Sequence, residues 1–299
     1  MISIVVPYYN RIKSLCITLD SLVNQCFRDF EVVVVDDGSE RGSIESDLKN
    51  KYPSLNLKYH YFTNNGVSVA RNIGAGLSSG EYLLFLDAGD LYHPQHLDLL
   101  YGFLKTEPTN LIATTFVQVL DANVSTIVGG FGRDLLGLSR IKSYSKFIDD
   151  LLIDKEPIHI CSVIIKKELF NSIGGFSKRF TMGEDVDFIL RAVEHNKLIK
   201  IVDSKSFFYI LSESESVTLS KVPLVVLGQA EYIKSKNIKT SSEKEYLAKI
   251  YLYMAFINVK NKNFPAVCKN ILGVVTNKVL FRFIILLFNL KSKTEKAVL

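Results

Sequence analysis

The sequence predicts an α/β fold, a mostly parallel sheet flanked by helices and followed by a helical C-terminal appendage. Three features carry that expectation: short apolar, β-branched runs that end in turn residues, helical-period segments between them, and a basic stretch of helical spacing at the end of the chain. With 47% hydrophobic and 22% charged residues the composition is that of a globular protein, which excludes a disordered, collagen-like or disulfide-scaffold chain. At 299 residues it can hold one large domain or two smaller ones.

The first strand is expected at residues 2–6, an apolar run stopped by Pro7. No basic region with a longer apolar stretch and a small-residue cleavage site precedes it, so no signal peptide is expected. Leu15, Leu19, Leu22 and Val23 then recur at helical spacing. The second strand, 30–35, holds four consecutive valines and breaks at Asp36-Asp37-Gly38-Ser39. A third is expected at 57–62, after which Asn64-Asn65-Gly66 turns into a helix over 67–77. The fourth, 82–86, ends at Asp87-Ala88-Gly89-Asp90. Near-continuous apolar strands separated by helices imply a parallel sheet covered on both faces. Ligands of such sheets bind beyond the carboxyl ends of the strands, where both acidic clusters fall.

Beyond residue 110 the pattern changes. Residues 111–120 and 124–128 suggest a strand pair around Asp121-Ala122-Asn123, 143–153 a helix, and 158–165 a strand. Gly174-Gly175-Phe176 reads as a loop, and Gly183 leads into a helix carrying Val186, Ile189, Leu190 and Val193. Short strands are expected at 198–202 and 207–211, completing one domain over 1–220.

Charge separates that domain from the rest. Residues 1–220 hold 22 Lys and Arg against 27 Asp and Glu, whereas 221–299 hold 14 against 4. A basic segment favours an anionic partner. In the tail, Tyr246, Leu247, Ile250, Tyr251, Met254 and Ile257 form a helical stripe. Residues 279–290 are apolar except for Arg282 and Asn289, and Lys278, Lys291, Lys293 and Lys296 flank them. At about 18 Å as a helix this run is too short to span a bilayer. It suits a helix lying on an anionic membrane surface, or one docking on the body or on a second copy as a homodimer contact. Nucleic acid is not an expected partner, since no aromatic platform or known module accompanies the charge. The four cysteines are widely spaced with no C-x-x-C pair, which points to a reducing, cytoplasmic compartment.

Asp87 and Asp90, two carboxylates in one strand-end turn, suit a hard cation such as Mn²⁺ or Mg²⁺; taken alone, a polar turn is the commoner explanation, since Asp and Gly are common turn residues. Glu184, Asp185 and Asp187 open a helix, where acidic residues also complement the dipole by about 0.3–1 kcal/mol. A carboxylate held in a cleft there could instead take a proton from an incoming hydroxyl. His93 and His96 raise a metal-site reading, but with Pro94 between them they are expected to begin a surface helix. No G-x-G-x-x-G follows the first strand, which argues against a dinucleotide site.

Considered together, the motifs narrow the choice. Pro7-Tyr8-Tyr9-Asn10-Arg11, Asp36-Asp37-Gly38-Ser39, Asn65-Gly66 with Ala70-Arg71-Asn72 and Gly74, Gly80-Glu81-Tyr82, Leu86-Asp87-Ala88-Gly89-Asp90, Gly174-Gly175-Phe176 and Gly183-Glu184-Asp185 follow one another in the chain. In order and spacing this resembles family 2 of the inverting glycosyltransferases, which have the GT-A fold, over about residues 1–212. The resemblance implies a nucleotide-sugar donor, expected to be UDP-linked, and a glycan or lipid-linked glycan acceptor in cell-surface polysaccharide synthesis. It places Pro7, Tyr9, Arg11, Asp37, Arg71 and Asp87 at the nucleotide and Asp87 and Asp90 at a Mn²⁺ or Mg²⁺ ion. Asp185, paired with Glu184, matches the general base. It further implies a cytoplasmic enzyme, peripheral on the inner face of the membrane if the tail binds lipid.

Two departures stand out. Many relatives carry a carboxylate at the third position of the Asp87 motif, where this chain has Gly89. Around 209–218, where relatives often carry Arg or His, the chain has Leu211-Ser212-Glu213-Ser214-Glu215-Ser216. These leave open an alternative, a non-catalytic paralogue that binds nucleotide sugars or glycans.

Overall fold

In a computed structural model of the chain, residues 1–106, 109–120, 141–144, 158–180, 183–211, 233, 241–260, 265 and 268–272 are described. The chain divides into two compact units, Met1–Ser216 and Val217–Leu299.

In the first unit β1 (Ile2–Tyr8), β2 (Phe30–Asp37), β3 (Leu57–Phe62) and β4 (Tyr82–Phe85) lie parallel in the order β3-β2-β1-β4. Helices α1 (Ile12–Val23), α2 (Glu45–Lys51) and α3 (Val67–Leu77) make the connections. Every residue of β2 is buried, which explains its lack of alternation: side chains on both faces meet protein. The chain winds outward from β1 to β3 and then returns to β1's other side with β4, so the strand order reverses beside β1.

The second half extends the sheet with mixed directions. It comprises β5 (Leu91–Tyr92), α4 (His96–Thr106), β6 (Leu111–Leu120), β7 (Ile141–Tyr144), β8 (Val163–Lys166), α5 (Lys167–Ser172), α6 (Glu184–Asn196) and β9 (Ile199–Leu211). The order continues β4-β8-β6-β9-β5, with β7 also on β9. β8 is antiparallel to both β4 and β6, while β9 is parallel to β6.

Several local expectations change here. Residues 158–165 are not one strand: Ile160–Ser162 form a short 3₁₀ turn and the strand starts at Val163. His159 caps the turn, its ring accepting a 3.3 Å contact from Cys161 N–H and its carbonyl accepting from Ser162 N–H. Ser143 and Tyr144 end β7 rather than begin a helix, since pairing with β9 overrides local propensity. The two strands expected at 198–202 and 207–211 are one long strand, with an irregular register where β6 passes from Thr114 to Phe116. His93 and His96 are buried, not on a surface helix; His96 begins α4, stacks on Tyr92 and bonds Ser206 Oγ at 2.8 Å. The expected strand at 124–128, the remaining 145–153 of the expected helix and the loop at 212–218 lie outside the described residues.

An ion-pair network ties the sheet together at the amino ends of its strands. Buried Glu31 in β2 pairs with Lys58 at 2.7 Å, accepts from Ser3 Oγ at 2.6 Å and also accepts from Ser79 N–H. Burial alone would raise its pKa, but these three partners outweigh it and hold the carboxyl below the ordinary glutamate range. Glu31→Gln is expected to lose about 2 kcal/mol at pH 7, a hydrogen-bonded charge with a partly exposed partner. Because the folded pKa is depressed, the gap from wild type is full above the unfolded value of about 4.3 and closes as pH falls through the folded value. Urea denaturation at pH 7 and pH 3 checks both the size and the sign.

In the second unit α7 (Ser241–Lys260) buries Leu247, Ala248, Ile250, Met254 and Ala255 at helical spacing. The apolar run at 279–290 and its basic flanks lie outside the described residues. No helix among the described residues is long and apolar enough to cross a membrane.

Candidate active site

The carboxyl ends of β1, β2 and β4 carry most of the residues singled out by sequence, beside the reversal of strand order. Pro7 lies at the end of β1 opposite Val35, and Tyr9 just beyond it is exposed. Asn10 ties this loop to the one after β2: its N–H donates to Ser39 Oγ and its Oδ1 accepts from Glu40 N–H, both at 2.9 Å. Arg11 precedes α1, and its charge acts on Asp90.

The two aspartates after β2 divide the work. Asp36 is fully buried, accepting from Tyr59 Oη and from Ser39 N–H at 2.8 Å, so it shapes the turn. Asp37 accepts from the N–H groups of Asn65 and Gly66 at 2.8 and 2.9 Å, which fixes the start of α3. That matters because α3 carries Arg71.

Arg71 is the hub. Its guanidinium, on a side chain only 3% exposed, donates to both oxygens of Asp87 at 2.8 and 3.0 Å and to Glu184 Oε1 at 3.0 Å. Burial alone would destabilise the cation, but Asp87 and Glu184 outweigh that penalty and raise its pKa. Beneath it lies Phe176, 5.3 Å from the guanidinium carbon and stacked on Phe188 of α6. Asn72, next to Arg71, clamps Phe176 by exchanging two 2.8 Å hydrogen bonds with its backbone. The Gly174-Gly175 pair makes this approach possible: both have positive φ, and a Cβ on Gly175 would sit 2.5 Å from Asn72 Oδ1.

The turn after β4 is equally constrained. Thr18 of α1 is fully buried, accepts from Gly89 N–H at 2.8 Å and donates to Asp90 O at 2.9 Å. Gly89 sits at φ +118°, a conformation that L side chains rarely adopt. The missing third-position carboxylate therefore follows from the backbone this turn uses. Asp87 is 36% exposed on its open side, and although burial would raise its pKa, the Arg71 charge lowers it overall. Asp90 is 4% exposed; its Oδ1 accepts from Ile210 N–H at 3.0 Å and its Oδ2 has no hydrogen-bond partner among the described residues. Burial, then the neighbouring Asp87 charge, pushes its pKa well up. A buried carboxylate oxygen without a partner, beside a second carboxylate, fits a bound cation.

Glu184 and Asp185 occupy the first turn of α6 behind Gly183, which starts the helix in a left-handed conformation. Asp185 Oδ1 accepts from Val186 N–H at 2.8 Å, while Asp187 turns away to pair with Arg191 at 2.8 Å. Burial raises the pKa of Asp185 and of Glu184, with the Asp87 charge adding to both and the Asp185 charge to Glu184. Such a carboxylate is a stronger base than a solvated one.

Sequence reasoning missed Thr18, His159 and Cys161. Thr18 could have been noticed as a polar residue on the Leu15, Leu19, Leu22 face of α1. Cys161 accepts from Asp87 N–H at 3.3 Å, and His159 stacks on Phe207 and Tyr209; no local pattern announces either.

A part-parallel α/β sheet with strand-end carboxylates at the reversal of strand order puts a candidate ligand site beyond the carboxyl ends of β1 and β4. The model of glycosyl transferase family 2 matches residues 3–169. The chain is 28% identical to an uncharacterized glycosyltransferase of Haemophilus influenzae, over 80% of this chain and 78% of that one. It is 30% identical to a PGL/p-HBAD biosynthesis glycosyltransferase of Mycobacterium tuberculosis, over 67% of this chain and 72% of that one. A match to the minor teichoic acid biosynthesis protein GgaB of Bacillus subtilis, at 26% identity, covers 90% of this chain but 29% of GgaB. In fold it is similar to S. aureus TarS 1–349 in complex with UDP-GlcNAc, with a TM-score of 0.66 at 21% identity over 91% of this chain and 81% of that one. The chain belongs to glycosyl transferase family 2.

Proposed function

We propose that the protein transfers a sugar, with inversion, from a UDP-linked donor to a hydroxyl of a glycan or lipid-linked glycan in cell-surface polysaccharide synthesis. The observation that carries this reading is the Arg71 bridge, which holds the Asp87 turn and the Glu184-Asp185 pair on one buried guanidinium. The UDP-GlcNAc complex of TarS and the teichoic acid name of GgaB support the donor and acceptor classes.

In this reading the first unit is the catalytic domain. Pro7, Tyr9 and Arg11 border the nucleotide, and Asp37 meets its ribose or base from the turn that anchors α3. Arg71 serves the nucleotide indirectly by holding Asp87 in place. Asp87 and Asp90 hold Mn²⁺ or Mg²⁺, which when bound supplies positive charge to the departing diphosphate. Asp185 takes the proton of the acceptor hydroxyl as it attacks the anomeric carbon. The carbon–oxygen bond to the diphosphate breaks in the same displacement, so configuration inverts without a covalent sugar–enzyme intermediate. Glu184 keeps α6 docked on Arg71 and places Asp185.

Chelation is the direct test. With a panel of nucleotide sugars, transfer is expected to fall to background in excess chelator and to return on adding Mn²⁺ or Mg²⁺. Undiminished transfer in chelator would remove the metal from the mechanism. Absence of turnover with every donor would favour a non-catalytic binding protein, the reading that Gly89 and the lack of Arg or His over residues 212–218 invite.

A further inference from the structure

Three side chains beneath the Asp87 turn form a ligand set that the sequence did not suggest. Asp90, His159 and Cys161 each present one donor atom, and these atoms lie within 4.8 Å of one another. Asp90 and Cys161 are buried, and the second Asp90 oxygen has no hydrogen-bond partner among the described residues. In tetrahedral sites with bonds of about 2.0–2.3 Å, ligand atoms lie about 3.5 Å apart. A closing movement of about 1 Å would complete the triad.

The surroundings already orient each donor. Ile210 N–H bonds the other Asp90 oxygen at 3.0 Å, and Asp87 N–H points to Cys161 Sγ at 3.3 Å, as backbone donors do toward thiolate ligands. The His159 ring stacks at 4.7 Å on Tyr209 and 5.3 Å on Phe207, which limits its rotation. Among the described residues its Nδ1 accepts a 3.3 Å contact from Cys161 N–H, long for a nitrogen donor, so recruiting the imidazole breaks little.

We propose that Asp90, His159 and Cys161 form a three-ligand site for a borderline dication of the zinc class, in place of the carboxylate absent at Gly89. Carboxylate, imidazole and sulfur together suit Zn²⁺ or Co²⁺, whereas Mg²⁺ requires an octahedron of oxygens. Three protein ligands leave a fourth position open to water. Asp90 serves one ion at a time, so a zinc-class ion bound here leaves the Mn²⁺ or Mg²⁺ of the proposed reaction to Asp87. That last assignment rests on the transferase reading; the site itself does not.

The test uses the full chain, freed of metal, without any nucleotide sugar. Cys16, Cys26 and Cys268 are first changed to serine so that Cys161 supplies the only thiol. Titration with Co²⁺ is expected to produce a thiolate-to-cobalt charge-transfer band in the near ultraviolet that saturates at one ion per chain. Zn²⁺ is expected to displace the ion, and a large excess of Mg²⁺ to leave it in place. Cys161→Ser should abolish the band, and His159→Gln should weaken Co²⁺ binding at least about tenfold, with circular dichroism confirming the fold of each. If Cys161→Ser does not fold, Asp90→Asn must weaken binding by a similar factor. No band in the parent chain, a band surviving Cys161→Ser, or displacement by Mg²⁺ would overturn the proposal. A band in a chain with no transferase activity would leave this site standing and sink the proposed reaction; transfer without a band would do the reverse.

Discussion

Arg71→Ala is expected to lower folding stability by about 3–5 kcal/mol and to remove transfer activity. The substitution leaves the Asp87 and Glu184 charges acting on each other, with Asp90 close by and the guanidinium that bridged them gone. It also strips the contact with Phe176 that joins α3 to the aromatic cluster of Phe85, Phe170 and Phe188. Arg71→Lys should recover part of the stability but little activity, because an ammonium cannot grip one carboxylate through two bonds while reaching a second. The pH dependence has a definite sign. Arg71 depresses the Asp87 pKa, so its contribution is present above the ordinary aspartate range and is lost as pH falls through the folded value. Urea denaturation should therefore show the gap between wild type and Arg71→Ala narrowing on acidification. A variant within about 0.5 kcal/mol of wild type would mean that the bridge is not a stabilising element.

Asp185→Asn is expected to cut kcat by about a thousandfold while leaving donor affinity close to wild type. Asparagine keeps the shape and the helix start but cannot take a proton. Burial and the Asp87 charge raise the Asp185 pKa, so the acidic limb of the wild-type rate profile should lie above that of an ordinary aspartate, with activity lost as pH drops through it. That limb should be absent from the residual activity of the variant. Glu184→Gln makes an informative comparison: a loss there should come with altered stability, because Glu184 acts through Arg71. Near wild-type turnover by Asp185→Asn would refute the assignment of the base.

Much of the parallel half was legible because its signals are local. Val32 to Val35, all β-branched and followed by turn residues, read as a strand buried on both faces, and Gly66 before Val67 reads as a helix start. The antiparallel half was less legible. Ser143 and Tyr144 carry no strand signature of their own and become strand by pairing with Tyr144's and Ser143's partners on β9, Ile199 and Lys200. The turn at Ile160–Ser162 interrupts an apolar run that reads as strand, and His159 caps it. His93 and His96 looked exposed because polar residues beside a proline usually are, yet contacts with Ser206 of β9 and with Gln25, just beyond α1, bury them.

The sequence by itself determined where the strands end and which carboxylates stand there, since apolar runs, turn residues and helix starts are properties of short segments. Only the tertiary structure decided what those carboxylates meet. Arg71 and Glu184 lie 113 residues apart and join at 3.0 Å because α3 and α6 converge on the end of β4. Asp90, His159 and Cys161 gather in the same way, from a turn and a 3₁₀ segment that no spacing rule connects. The charge of each group is written in the chain, but its worth depends on burial and on the neighbour opposite, and both are set by packing.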